Sequence, residues 1–355
     1  MKIKLLKKSM LLALLTICSY MVYSQCPNNF IELYRQGEVD SFAVNYPGCT
    51  NIINDLYIEM KQIDNLKGLS VLKGKQNHIS IVGFYRDDVF LDGLNNIDSI
   101  DYLSLASVIN TRGLEKVSYI KQFFNNGGDR IDFSGMAGLK KIDLWIYQAS
   151  NNVQKPDSSD LRLFPEVPDV DRLNLNGNIK LSGINKIKNL NNLSIINNRV
   201  LQNLLELKDR TLMNSIGMWN VWTDFSFIGT ENLTSLKGAT IRSVKNLRTL
   251  EGLRNIKSLG YLYLENIPNY GPGDLSQLES IEEINALYII DVRTLRSLEG
   301  FPPSSVLYEL NLVKNPVLKD ISALEKVKSV EFKTKIVPGV KGVVIAENPL
   351  LSPCN

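Results

Sequence analysis

Residues 250–264 read LEGLRNIKSLGYLYL, and residues 91–105 read LDGLNNIDSIDYLSL. Each stretch sets apolar residues three apart, turns, and ends in a short strand written apolar, any, apolar. The strand triplet returns as Leu262-Tyr263-Leu264, Leu287-Tyr288-Ile289 and Leu310-Asn311-Leu312. A phrase repeating every 20 to 28 residues or so (roughly) marks a solenoid, in which each unit buries its apolar edge only against its neighbours. The fold expected is a mainly β repeat solenoid: a right-handed parallel β-helix or leucine-rich-repeat-like coil. Such scaffolds bind far more often than they catalyse.

Working outward from these copies, about 13 coils can be placed. Strand centres are expected near Tyr57, Ser80, Ser104, Asp132, Trp145, Asn174, Ser194, Trp219, Thr240, Tyr263, Tyr288, Asn311 and Val344. Between strands the step of three persists, as in Leu247, Leu250, Leu253, Ile256 and Leu259, and in Ile63, Leu66, Leu69 and Leu72. That step fits short 3₁₀-like turns better than a long amphipathic helix. Asparagine-rich runs such as NNLSIINN suit turns and stacked side-chain ladders inside the coil. Four stretches break the pattern and are expected to emerge as loops: Gly83 to Leu91, Gln148 to Ser159 (with Lys155-Pro156-Asp157), Trp219 to Ile228, and Pro268 to Asp274.

The N-terminus points to export. Lys2, Lys4, Lys7 and Lys8 precede an apolar core from Met10 to Ile17, with a cleavage point expected ahead of Gln25. Residues 1–24 are thus expected to be a signal peptide, and no later apolar run of about 20 residues offers a membrane span. Lys and Arg number 40 against 37 Asp and Glu, but without the leader's lysines the balance becomes 36 against 37, a net charge near −1. No nucleic-acid footprint survives that correction. The chain is expected to be secreted or held at the outer cell surface. A lipoprotein reading of Leu15-Thr16-Ile17-Cys18 is disfavoured by Ile17, where a small residue is normal.

Without Cys18, the cysteines left are Cys26, Cys49 and Cys354. Cys26 and Cys49 bracket a segment just after the leader, where a disulfide closes a loop of roughly 24 residues worth about 3 kcal/mol. Cys354 is left over: about a dozen coils at roughly 4.8 Å separate it from the other two. It packs in a C-terminal cap or bridges to another molecule.

The opening CPNNF…VDSFAVNYPGCTNIINDLYI, followed by repeats of the form LxGLxxIxSLxYLYL, resembles the receptor L-domain family. Members of that family form the ligand-binding lobes of insulin-type and epidermal-growth-factor-type receptors, and the chain most resembles stand-alone secreted bacterial versions. The resemblance covers the chain after the leader, including the ending ENPLLSPCN. It implies an N-terminal cap over 25–50 held by a Cys26–Cys49 disulfide, an L-domain-like solenoid over 51–346, and a C-terminal cap over 347–355. It carries over a scaffold with a habit of binding, not receptor signalling.

On each strand the two flanking apolar residues point inward and the centre points out of the sheet. The candidate ligand-binding residues are therefore Tyr57, Trp145, Asn174, Tyr263, Tyr288 and Asn311, with Tyr261 beside the ladder and Trp219 with Trp222 in a loop. Exposed Tyr and Trp offer an apolar face with a polar handle, suited to sugar rings or a partner's side chains. The ligand expected is an extracellular glycan or protein.

The competing reading is a carbohydrate-active enzyme, since β-solenoids include polysaccharide lyases and hydrolases that gather carboxylates in a cleft. A surface-anchored adhesin is a further alternative. The acids on offer are Asp87-Asp88, Asp224 and Glu282-Glu283, on separate turns. The lone histidine, His78, cannot supply a zinc site, and a serine triad would have to be built on it with no GxSxG elbow anywhere in the sequence. No metal or other cofactor is implied.

Overall fold

The computed structural model describes residues 26–85, 90–108, 110–126, 131–149, 161–303, 306–330 and 342–351. The expected signal peptide, Cys18, Gln25, Asp87-Asp88, Lys155-Pro156-Asp157 and Cys354 lie outside the described residues. The chain divides into two compact units, Met1–Asp143 with Pro165–Val167, and Leu144–Phe164 with Pro168–Asn355. Each is a parallel β-solenoid with little helix, and the turns number about 11, slightly below the expected 13.

The first unit opens with strand β1 (Ile31–Arg35) and two short helices, α1 (Gln36–Asp40) and α2 (Phe42–Asn45). The Glu38 carboxylate accepts the backbone N–H of Tyr34 (2.7 Å) and of Arg35 (3.0 Å), which answers donors that the helix start leaves open. Val39 and Phe42 are fully buried, and a methyl group on Gly68 would lie 1.9 Å from the Val39 carbonyl oxygen. The helices therefore rest directly on the first coil. Cys26 and Cys49 form the expected disulfide, with Cα atoms 4.5 Å apart. Strands β2 (Asp55–Gln62), β3 (Gly74–Val82), β4 (Ile97–Ala106) and β5 (Tyr119–Asn126) then stack in parallel, with Leu56, Ile79, Leu103 and Phe123 in one register column.

Strand β6 (Lys141–Gln148) begins in the first unit and ends in the second. The second unit continues with β7 (Val167–Asn176), β8 (Ile187–Asn198), β9 (Ser215–Ser226), β10 (Ser235–Thr249), β11 (Ser258–Ile267), β12 (Asn269–Tyr270) and β13 (Glu283–Val292). After these come β14 (Val306–Leu307), β15 (Glu309–Val313), β16 (Ser329–Val330) and β17 (Val343–Ala346). From β8 through β11 and β13 to β15 the inward pairs lie in register, for example Leu193, Ile216, Ala239, Leu262, Leu287 and Leu310.

The step of three does form 3₁₀ turns, at Lys67–Leu69, Glu251–Leu253 and Ser276–Leu278 among others. Leu247, Leu250, Leu253, Ile256 and Leu259 are each 0% exposed. Complete burial of such a side chain is worth about 1.5–3 kcal/mol, so these turns are a second wall of the core. The glycine that recurs in LxGL has a steric cause. A methyl group on Gly252 would lie 1.8 Å from the Phe227 carbonyl oxygen of the preceding coil, and one on Gly93 would lie 1.8 Å from that of Leu66. Coils stack backbone on backbone there, and only hydrogen fits.

A second column turns the chain within β8, β9, β10 and β11. Asn197, Asn220, Ser243 and Asn266 sit three residues past the strand centre at φ 56, 55, 54 and 52, a left-handed conformation that short polar residues tolerate best after glycine. Asn197 donates to Asn176 Oδ1 at 3.0 Å, and Asn220 to Asn197 Oδ1 at 3.0 Å. The expected asparagine ladder thus runs along this exposed corner. The buried Asn198 instead donates to the backbone carbonyls of Gly177 and Ile179.

Several expectations are corrected. Asp132 is not a strand centre: it makes an isolated bridge to Asn110, and the strand pass is β5, where Phe124 aligns with Ser104. Trp219 is not a centre either, because Gly217 aligns with Ser194 and Thr240. Trp145 does not face out. It is 0% exposed and stacks on Phe164 at 4.1 Å, so the inward pair of β6 is Trp145 and Tyr147. Residues 219–226 are not a loop but the second half of β9, paired to β10, and within 268–274 Asn269–Tyr270 pairs with β10 as β12. In the last two cases hydrogen bonds to the neighbouring coil outweigh irregular side-chain composition.

Candidate functional site

The candidate residues fall into separate groups. In the first unit Tyr57 is half-buried on the outward face of β2, with Phe30 at 6.5 Å and Tyr34 at 6.0 Å between ring centroids. Burial, then Glu59 and Glu32, raise its phenol pKa. His78 lies on the same face, 2.7 Å from Asp55 through Nδ1 and 4.2 Å from the Tyr102 ring, a surface histidine already engaged by its neighbours. In the second unit Asn174 faces outward on β7, half-buried.

The dense group lies on the outward face of β9, β10, β11, β13 and β15, all in the second unit. The central row is Gly217, Thr240, Tyr263, Tyr288 and Asn311. On one side of it run Ser215, Gly238, Tyr261, Ala286 and Glu309, and on the other Trp219, Arg242, Glu265, Ile290 and Val313. Two glycines decide the relief. A methyl group on Gly217 would lie 2.0 Å from ring atoms of Trp219, and one on Gly238 would lie 2.1 Å from the Tyr261 ring. Both rings are bent back over the sheet into space that a side chain would fill. Both are half-buried, so each keeps part of its surface in solvent.

Charge on this face is internally matched. Arg242 Nε is 2.6 Å from Glu265 Oε2, and its guanidinium lies 5.6 Å from the Tyr263 ring centroid. The Tyr263 hydroxyl donates to Glu265 Oε2 at 2.8 Å, and its ring meets that of Tyr288 at 5.2 Å. Burial first, then the bond to Glu265, pushes the Tyr263 phenol up to about 12. Tyr288 keeps its outward register but is 0% exposed, and its hydroxyl donates to Glu309, itself 1% exposed. It is therefore a support for Tyr263 and not the open ligand contact expected. Asn311, next in the row, is half-buried. Trp222 is exposed, but it lies past the left-handed corner at Asn220 and stacks with Arg199 at 4.8 Å, off this face.

The described acids among those suggested for catalysis, Asp224, Glu282 and Glu283, are each engaged by a partner of their own. Asp224 accepts from Asn246 and Arg248, which hold its carboxyl below the usual range, while Glu282 pairs with Lys257 at 3.3 Å and Glu283 accepts from Asn285 at 2.7 Å. Near Asp224 a shallow hollow of about 260 Å³ is lined by Arg248, Asn269, Tyr270 and Thr294 among others. Among the described residues no group of three or more His, Cys, Asp or Glu is placed to hold a metal ion. No described helix is long and apolar enough to cross a membrane.

The signals that sequence reading missed are the glycines. Gly217 and Gly238 stand at outward strand positions where a β-branched residue is the usual choice. Fold and face together define a mainly-β repeat solenoid bearing an aromatic, charge-matched outer surface. No protein-family model matches the chain, and no curated protein does.

Proposed function

We propose that the chain is an exported, non-enzymatic binding scaffold of receptor L-domain type, which takes an extracellular ligand on the outward face of β9 to β15. The observation that carries this reading is the seating of Trp219 and Tyr261 over Gly217 and Gly238. Ring surfaces fixed before the ligand arrives lower the ordering cost of binding. The disulfide-held cap, the 3₁₀ turns and the parallel sheet support the L-domain assignment. Among the described residues the candidate carboxylates Asp224, Glu282 and Glu283 each have a partner of their own, which favours binding over glycosidic cleavage, a reaction that needs two carboxyl groups facing one bond.

The test is to immobilise the purified chain and pass over it a panel of polysaccharides and an extracellular protein fraction, reading retention and released fragments. Retention without fragments, lost with the Trp219→Ala/Tyr261→Ala double variant, is the expected result. Fragments from any polysaccharide establish the enzyme reading instead. Retention of nothing sinks the proposal. Cleavage ahead of Gln25, read as the mass of the exported chain, tests the leader separately.

A further inference from the structure

We infer that the ligand of this face is an uncharged glycan, one sugar of which sits in a frame around Thr240. This rests on the binding-scaffold reading above and names its ligand class. Thr240 is the central outward residue of β10. On its β9 side the register partner is Gly217, whose outward space holds the Trp219 ring; on its β11 side the partner is Tyr263. Along its own strand the outward neighbours are Gly238, covered by the Tyr261 ring, and Arg242. A small hydroxyl-bearing residue thus has register neighbours that place aromatic rings on three sides and a guanidinium on the fourth, an apolar frame around a polar centre.

Charge separates a neutral glycan from the alternatives. The two charged groups at the rim, Arg242 and Glu265, bond to each other at 2.6 Å. Glu309, farther along, is buried under the Tyr288 hydroxyl. Among the described residues the frame therefore presents no unmatched charge to an acidic sugar, a phosphate or a basic peptide. It presents instead what a neutral sugar ring uses: aromatic surface for its C–H face, and a hydroxyl, a carboxylate and a guanidinium as hydrogen-bonding partners for its hydroxyls. Each ring is also fixed by a missing side chain. At either glycine the three atoms nearest an added methyl group belong to an aromatic ring and not to backbone. Their role is to seat the rings.

The experiment titrates the full chain with soluble neutral polysaccharides (a mixed-linkage glucan, a galactomannan, a xylan) and anionic ones (polygalacturonate, alginate) by calorimetry. The expected result is binding of a neutral member, weakened about tenfold or more by Trp219→Ala and by Tyr261→Ala, and retained by Trp219→Phe and Tyr261→Phe. Gly238→Ala is expected to weaken binding similarly while leaving every ring in the sequence. Trp222→Ala, beyond the corner, is expected to stay within about twofold. Binding of anionic members alone, or neutral binding that survives both alanine variants, overturns the inference. Retention of a protein and of no glycan overturns it while the scaffold reading stands, and retention of nothing overturns both. Melting temperatures of the alanine variants close to wild type, or the phenylalanine pair where they fall, keep loss of fold apart from loss of binding.

Discussion

Replacing Gly252 with alanine sets two effects of opposite sign against each other. Gly252 lies in a 3₁₀ turn with a helical backbone, where alanine is conformationally at ease. Taken alone, the substitution stabilises by about 0.4–1 kcal/mol, because the unfolded chain has less freedom to lose. The structure puts the new methyl carbon 1.8 Å from the Phe227 carbonyl oxygen, 2.5 Å from its carbon and 2.6 Å from Thr230 Oγ1. Two of those atoms are backbone of the preceding coil, so the coils must part, and overpacking of that kind costs about 1–3 kcal/mol. The net expectation is a loss of about 1–2 kcal/mol, read as a lowered midpoint of urea denaturation at unchanged slope. Gly37 is the matched control. It lies in α1 with nothing within 4 Å of an added methyl group, so Gly37→Ala should raise the midpoint or leave it in place. A Gly252→Ala chain as stable as wild type, or more so, would refute backbone-on-backbone stacking as the cause of the LxGL repeat.

Two further outcomes are expected. Converting both Cys26 and Cys49 to serine should lower stability by about 2–4 kcal/mol, measured as the shift in denaturation midpoint, and should act on the cap that covers Val39 and Phe42. The Tyr263 phenol should stay protonated until about pH 12 in an ultraviolet titration, and Glu265→Gln should bring its ionisation down. Because the folded pKa lies above the unfolded value near 10, the stability this phenol contributes is complete below about pH 10 and is lost as pH rises through about 12.

The coil was legible because its two signals, the apolar triplet and the step of three, are properties of local sequence that stacking then repeats. The register at Trp145 was misread because a strand's side-chain period is two, so a slip of one residue exchanges the faces. Leu144-Trp145-Ile146 and Trp145-Ile146-Tyr147 are both apolar triplets, and only the stacking of Trp145 on Phe164 decides for the second. Ile131-Asp132-Phe133 mimics a strand, whereas the true pass, Phe123-Phe124-Asn125, puts an asparagine inside and hides the pattern. Near Trp219 the triplet Ile216-Gly217-Met218 is present, but Trp219-Asn220-Val221 also reads apolar, any, apolar and competes with it, and only the pairing to the neighbouring strands puts the centre at Gly217. The left-handed corner offers a register mark that triplets lack: Asn220 three residues past Gly217 matches Asn266 three past Tyr263.

Glycine has two distinct meanings in this chain, and the difference bears on function. At Gly252, Gly93 and their counterparts an added methyl group meets a carbonyl of the coil beneath, so the fold itself demands hydrogen there. At Gly217 and Gly238 the obstacle is a neighbouring aromatic ring. A glycine inside a strand costs roughly 0.5–1 kcal/mol relative to alanine, and the pleated surface favours β-branched residues still more. Two adjacent strands carry that cost at outward positions where the nearest obstacle to a side chain is a ring and not the coil backbone. Under the proposed function, what is gained is the placement of Trp219 and Tyr261 beside Thr240 to meet a ligand. Stability given up for pre-set rings is expected where a surface recognises something, and has no counterpart where a surface only faces water. The outward glycines, more than the aromatics they seat, are therefore what distinguishes this face from ordinary sheet surface.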